Sequence, residues 1–424
     1  MALVHSDKIN TPILTVEQQS AFDGIINQTT PTCVIAGSAG TGKSQLIAAL
    51  AAHFGDRAMF VSPTHKAAQE LSKRGNLKVY QVAALLKNLA VKAMLFEKKV
   101  THIIVDEASM IDRKTKILIE KYIAANAASQ INVVFLGDPN QLPPVNTDIV
   151  EMQHDWFHSV KPDFILTKGF RQDSNTTIKV VMDAPIDPNR KTICVTNYMR
   201  NKINVASHEI KHGKTKAYTC RRRKQILQPH AGDTLICYNP PVGMMFRNNC
   251  EYVIKSISDD TEVDGTQCFK ILFEESRKSI MVPKSVFQIK GKKKDDRDAK
   301  RDFEFAYALT AHAAQGSGYD NVIVYLERNA VMADDGETVE YKSAFDTAYM
   351  QRWLYTAITR GKKSVLVVDE NDAIGDLGLS LNVSIRANFN AADVASPVVT
   401  AIGTSAALPS AAMSMRTEPA SART

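Results

Sequence analysis

The 424-residue chain contains no run of 18 apolar residues, no Cys-x-x-Cys pair and only two tryptophans. The first absence argues against a membrane-spanning helix. The second excludes a site built on paired thiolates: the six cysteines, at 33, 194, 220, 237, 250 and 268, are scattered. No zinc site is expected, and reduced thiols in a cytosolic protein are the simplest reading. The opening "MALVHSDKINTPIL" lacks a basic start followed by a long apolar stretch, so no secretory signal is expected. The expected location is cytoplasmic, without a membrane partner. No repeat at a solenoid period is present. Charge is plentiful: 52 Lys and Arg against 45 Asp and Glu give a net charge of +7. That excess suits a polyanionic partner but does not require one.

The length allows two to four domains. Between residues 15 and 170, apolar segments "TCVIA", "AMFVS", "HIIVDE" and "INVVFLGD" alternate with helical patterns such as "KSQLIAALAAHF". Such alternation predicts a parallel sheet covered by helices on both faces. A second series starts at "KTICVTN" and resumes after residue 302 with "FAYALTAHAAQGSGYDNVIVYLE" and "SVLVVDE". Between them, short segments such as "DTLICYN", "CEYVIKSI" and "CFKILFE" predict a small antiparallel barrel at 230–302. The charge run at 290–302 and the arginines at 221–223 read either as solvated loops or as phosphate contacts. From 385 the composition turns to Ala, Ser, Thr and Pro, which predicts a disordered tail.

Chemistry is concentrated in "VIAGSAGTGKSQLIAAL". Gly37, Ser38, Ala39, Gly40, Thr41, Gly42, Lys43 and Ser44 form the phosphate-cradling P-loop pattern between a strand and a helix. Glycines let successive N–H groups turn toward one anion, and the helix N-terminus adds positive potential. Lys43 is expected to reach the terminal phosphates of ATP and Ser44 to hold Mg²⁺. In "IIVDEAS", Asp106 supplies a second metal contact and Glu107 a base for an attacking water. In "FLGDPNQLPPV", Gln141 is placed to sense a γ-phosphate.

With these motifs, the chain resembles superfamily 1 DNA helicases of the RecD/Dda group, over roughly residues 12–370. "LTVEQQSAF" looks like the Q motif, with Gln18 recognising adenine. "GSAGTGKS", "SPTHKAA", "VDEAS" and "GDPNQLPPV" resemble motifs I, Ia, II and III. "FRQD" matches motif IV and "YTAITRGKK" motif VI, which would make Arg171 and Arg360 arginine fingers. "LTAHAAQGSGYD" resembles motif V, where Gln315 and Gly316 would couple DNA to nucleotide; it departs from the family at Ala313 and Gly318. The resemblance implies two RecA-like P-loop NTPase domains with parallel sheets, the first over 1–170 with a β-hairpin inserted at about 76–100. The second spans 171–229 and 303–384 around an SH3-like β-barrel at 230–302. It implies single-stranded and forked DNA as partners, touched by Thr64 and His65, Thr196 and Asn197, Thr310 and His312, with Phe96 on the hairpin as a strand-separating wedge.

The implied activity is ATP-driven translocation on single-stranded DNA, 5′→3′, with duplex unwinding in replication or recombination. The tail would bind a replication or single-strand-binding protein. Three alternatives stay open on the residues alone: a translocase that displaces proteins, an RNA helicase, and a DNA-binding scaffold with a degenerate ATPase.

Overall fold

The computed structural model describes residues 13–75, 77–88, 100–124, 131–144, 155–169, 176–214, 226–240, 246–263, 265–289, 302–327, 329–332, 339–342 and 346–379. Phe96, Arg171, the arginines at 221–223, most of the charge run and the tail after 379 lie outside them.

The first half alternates α1 (Val16–Ile26), β1 (Thr32–Gly37), α2 (Lys43–Phe54), β2 (Ala58–Ser62), α3 (His65–Gly75), β3 (Val79–Gln81), α4 (Val82–Lys87), β4 (His102–Val105), α5 (Arg113–Ala124), β5 (Asn132–Gly137), α6 (Trp156–Ser159) and β6 (Phe164–Leu166). The strands form one parallel sheet in the order β3-β2-β4-β5-β1-β6. Its central strands are apolar on both faces because helices cover both. Leu46, Ile47 and Leu50 of α2 pack with Ile35 and Val134 on one side. Ile119, Trp156 and Phe157 pack with Val133 and Phe135 on the other. Each such side chain, fully buried, contributes about 1.5–3 kcal/mol. Within the segment expected to hold a hairpin at about 76–100, Val79–Gln81 is a parallel edge strand and Val82–Lys87 a helix, while residues 89–99 lie outside the described residues.

The second half begins with β7 (Thr177–Val181), β8 (Lys191–Cys194) and α7 (Asn197–His212). Next come β9 (Thr234–Cys237), β10 (Cys250–Val263), β11 (Thr266–Phe273), β12 (Ile280–Pro283) and β13 (Phe303–Phe305). They pair antiparallel in the order β12-β11-β10-β9-β13. Phe246, Tyr252, Phe273 and Phe303 form the centre of this unit, with ring centroids 4.9–5.5 Å apart in four contacts. The chain then returns through β14 (Ala308–Thr310), α8 (Ala311–Ala314), β15 (Tyr319–Tyr325), β16 (Asn329–Met332), β17 (Val339–Lys342), α9 (Thr347–Ile358), β18 (Gly361–Val368) and α10 (Ala373–Asp376). A second parallel sheet of order β14-β8-β15-β18-β7 results, while β16 and β17 pair with each other. The antiparallel unit is therefore an insertion between β8 and β14, neighbours in the second parallel sheet.

The three units meet at one buried carboxylate. Glu251 of β10 contacts Lys66 of α3 at 2.9 Å and Lys191 of β8 at 2.7 Å. Tyr319 of β15 donates to the same carboxylate at 2.5 Å. Lys66 also donates to the Ala313 carbonyl at 3.1 Å. Burial alone would raise the Glu251 carboxyl, but the Lys191 and Lys66 ammonium groups outweigh it and hold it well below the usual range. Glu251→Gln would leave two buried ammonium groups without their counter-charge, which costs about 3–5 kcal/mol when one partner of a buried pair is removed. We expect a marked drop in the urea midpoint at neutral pH; an unchanged midpoint would refute the three-way tie.

Candidate functional site

The P-loop takes the form its glycines permit. Gly40 and Gly42 have φ of +86° and +79°, a region that L side chains rarely adopt. Gly42 hands the chain to α2. Lys43 Nζ folds back onto the carbonyls of Gly37 (2.5 Å) and Ser38 (3.0 Å), and Thr41 Oγ1 donates to Ser38 at 2.9 Å. Gln18, read as an adenine-recognising residue, is buried against this loop. Its Nε2 donates to the Thr41 carbonyl at 3.1 Å, and its Oε1 accepts from the Thr15 N–H at 3.0 Å in a reciprocal helix cap.

Beside the loop stand residues from the ends of β4 and β5, where ligands collect in open α/β sheets. Asp106 is buried, and Glu107 adopts a left-handed backbone (φ +54°) with Oε2 buried and unpartnered. Asp138 is fully buried and accepts from Asn140 N–H (3.0 Å) and Gln141 Nε2 (3.2 Å). Burial raises its carboxyl above the ordinary value. Gln141 Oε1 is left buried without a partner. A cavity of about 280 Å³ is lined by Gly40, Lys43, Ser44, Asp106, Glu107 and Gln141 from the first unit and by Gly316 and Arg360 from the second. The unpartnered Glu107 Oε2 and Gln141 Oε1, the Ser44 hydroxyl and the Asp106 carboxylate, in a cavity also lined by Lys43, suit a hydrated divalent cation with a polyphosphate. Ser44 and Asp106 are the residues that would hold the cation.

The far wall is built on α9. Arg360, 1% exposed, donates to the carbonyls of Thr356 (3.0 Å) and Ser317 (3.2 Å) and to Thr359 Oγ1 (3.2 Å). Among the described residues no carboxylate pairs with it. A buried cation with only neutral acceptors is a site for an incoming anion. One turn earlier, Tyr355 Oη accepts from the Ala39 N–H of the P-loop (3.0 Å) and donates to Asp138 (2.9 Å). Burial and the adjacent Asp138 push this phenol far up, so it keeps its proton. Thr356 Oγ1 accepts from the Leu142 N–H at 3.0 Å, and Gln315 Nε2 donates to the Leu142 carbonyl at 3.3 Å. Leu142 itself packs among Ile193, Trp353 and Ala357 of the second unit. Sequence reading singled out Arg360 but missed Tyr355, Thr356 and Leu142. The signal was present as helical spacing, since Thr356 and Arg360 stand four apart.

The residues expected at nucleic acid fall on both units. Thr64 caps α3, accepting from Ala67 N–H at 3.1 Å. Thr196 caps α7 through Met199 N–H (3.1 Å), and its hydroxyl donates to Glu327. Thr310 caps α8 through Ala313 N–H at 3.4 Å. Asn197 is exposed. His65 is lowered by burial and by Arg247, and His312 by burial, so both imidazoles favour the neutral form. His312 bonds the Pro143 carbonyl, next to Leu142. Gly316 has φ +78°, and a Cβ there would come within 3.3 Å of Ala67 on α3. Phe96 and Arg171 lie outside the described residues.

A family model described as "AAA domain" matches residues 13–226, half of the chain. The chain belongs to this AAA domain family. Solved structures share the fold of this AAA domain protein at low sequence identity. Pif1 helicase, in a structure describing two coordinating copies at forked dsDNA, is 18% identical, with 84% of this chain and 92% of that chain covered and a TM-score of 0.54. Bacteroides Pif1 bound to ssDNA gives 18% and the same coverage, with a TM-score of 0.53. The Bacteroides enzyme with ADP-AlF3 and ssDNA gives 16%, the same coverage and 0.52. Among curated proteins, the uncharacterized protein MJ1519 of Methanocaldococcus jannaschii is 30% identical over 91 residues, 22% of this chain. The chain spans about 6% of the length of that relative. Among the described residues no helix is long and apolar enough to cross a membrane.

Two predictions follow from this geometry. Tyr355→Phe removes a donor to Asp138 and the acceptor of Ala39 N–H. We expect a loss of about 1–3 kcal/mol, read from chemical denaturation without nucleotide; an unchanged midpoint would show that the bridge carries no energy. Burial pushes the Glu327 carboxyl from 4.5 up to about 7, against the Thr196 hydrogen bonds. The folded chain therefore holds this proton more tightly than the unfolded one. The stabilisation is complete below the unfolded value and is lost as pH rises to about 7. Glu327→Gln should flatten the dependence of Tm on pH between roughly 5 and 8; identical slopes in both proteins would refute the assignment.

Proposed function

We propose that the chain is an ATP-dependent DNA helicase that moves along single-stranded DNA in the 5′→3′ direction and unwinds duplexes in replication or recombination. The observation that carries this reading is the cavity between two α/β units, walled by Lys43, Glu107 and Gln141 on one side and by Arg360 and Gly316 on the other. Its fold is shared with Pif1 proteins described with forked dsDNA, with ssDNA and with ADP-AlF3.

In this mechanism Lys43 exchanges the Gly37 and Ser38 carbonyls for the terminal phosphates of ATP. Ser44 and Asp106 would hold Mg²⁺, which when bound would supply neutralisation of phosphate charge. Gln141 Oε1 orients the attacking water and Glu107 Oε2 takes its proton. Arg360, joined by Arg171, stabilises the developing charge from the second unit. Thr64 and His65 on one unit, and Thr196, Asn197, Thr310 and His312 on the other, grip the strand backbone, so a change in unit spacing moves the strand. The threonines combine this role with capping, since helix N-termini bind phosphates. Phe96 acts as the wedge at the fork.

The test is turnover and strand release on duplexes with a 5′ or a 3′ overhang. Single-stranded DNA should stimulate hydrolysis. Lys43→Ala should abolish hydrolysis, and Glu107→Gln should lower turnover by at least about 10²-fold while nucleotide still binds. Release only from the 3′-tailed duplex would overturn the polarity. Stimulation by oligo-U but not oligo-dT would overturn the choice of DNA.

A further inference from the structure

Away from the phosphate cavity, three histidines and an aspartate converge where α7 meets the root of the antiparallel sheet. His208 and His212 stand one turn apart on α7, at the spacing that puts both on one helix face. His230 and Asp233 lie on the turn that leads into β9, a turn made possible by Gly232 at φ +83°. One ligand atom from each of the four lies within 4.8 Å of every other. We propose that His208, His212, His230 and Asp233 form a binding site for a divalent transition-metal ion of the zinc class, which fastens α7 to the first strand of the inserted sheet.

The hydrogen bonds prepare the donors. His208 Nε2 lies 2.7 Å from the Gln228 carbonyl, which can only accept, so this nitrogen carries the proton. Nδ1 is then a bare lone pair, and it is buried without a partner on a residue only 1% exposed. A ring N–H fixed by a backbone carbonyl is the arrangement that orients a metal-bound imidazole. His230 Nδ1 is likewise buried without a partner. His212 Nε2 sits 2.8 Å from Asp233 Oδ1. The rings of His212 and His230 stack with centroids 4.0 Å apart.

Other groups face the cluster. Asp233, fully buried, also accepts from Lys211 Nζ (2.9 Å) and Tyr307 Oη (2.8 Å) on Oδ1, and from His230 N–H (2.9 Å) on Oδ2. Tyr307 and Lys211 would remain as outer donors to Oδ1 while Oδ2 turns to the ion. Three nitrogens and one carboxylate oxygen fit a four-coordinate zinc-class ion, whose ligand atoms stand about 3.3 Å apart. The side chains therefore need to draw together by up to about 1.5 Å, a rotamer adjustment. The absence of paired cysteines excludes only a thiolate site and has no bearing on this one.

The test uses the full chain, stripped with a chelator and then titrated with Zn²⁺ against a fluorescent competitor in excess Mg²⁺, which occupies the phosphate cavity. We expect one equivalent of Zn²⁺, a rise in Tm on binding, and visible d–d absorption of four-coordinate type with Co²⁺. His212→Ala and His230→Ala should each weaken Zn²⁺ by at least about tenfold, with loss of the Tm rise; His53→Ala, outside the cluster, should change neither. Should either variant fail to fold, the wild-type Co²⁺ spectrum decides alone. No Zn²⁺ uptake, an octahedral Co²⁺ spectrum, or uptake indifferent to both variants would overturn the site and leave a hydrogen-bonded packing cluster.

Discussion

Leu142 belongs to the first α/β unit by sequence and to the second by packing. Its side chain is fully buried in the core of the second unit. Its N–H and carbonyl are bonded by Thr356 and Gln315 from that same unit. A buried leucine held at three points cannot stay in place if the units shift freely, because each lost contact exposes apolar surface or orphans a backbone group. Gln141, the preceding residue, faces the phosphate cavity. The cavity and the seam are therefore one peptide bond apart. Tyr355 makes the second link, joining a P-loop N–H and Asp138 to α9.

Glu251 provides a separate tie at the other edge of the seam. Its two lysine partners come from the two α/β units, while its own strand belongs to the inserted sheet. Lys66 lies on α3, whose Ala67 is in close contact range of Gly316, so the charge cluster and the cavity share a helix. A displacement of α3 reaches both the inserted sheet and Gly316. Rigid elements joined at few points, each with its partners buried, convert small local shifts into unit motion.

Much of this fold is legible in the residues. The buried parallel strands are continuous apolar runs, and the P-loop, the Asp106–Glu107 pair and Gln141 each sit at the end of such a run. Local patterns fix these features. The cap of Thr15 on Gln18 was equally local, yet the functional reading of Gln18 as an adenine contact overlooked it. Val79–Gln81 is too short to announce a strand, and only pairing with β2 makes it one. The partners of Tyr355, Lys66 and Glu251 lie far away in sequence, and no periodicity encodes them. His208 and His212 showed helical spacing, but their convergence with His230 and Asp233 depends on how the chain returns to β9.

The central claim is that the triphosphate changes the spacing of the two α/β units across the Leu142 seam. Spin labels at Ile117→Cys on α5 and Ile210→Cys on α7 report it directly; both positions are exposed, and the described cysteines are buried. With Cys220→Ser removing a further thiol, the distance between labels should differ between a non-hydrolysable ATP analogue and ADP, and the difference should vanish with Lys43→Ala. One and the same distance distribution in every nucleotide state, with nucleotide demonstrably bound, would contradict the account.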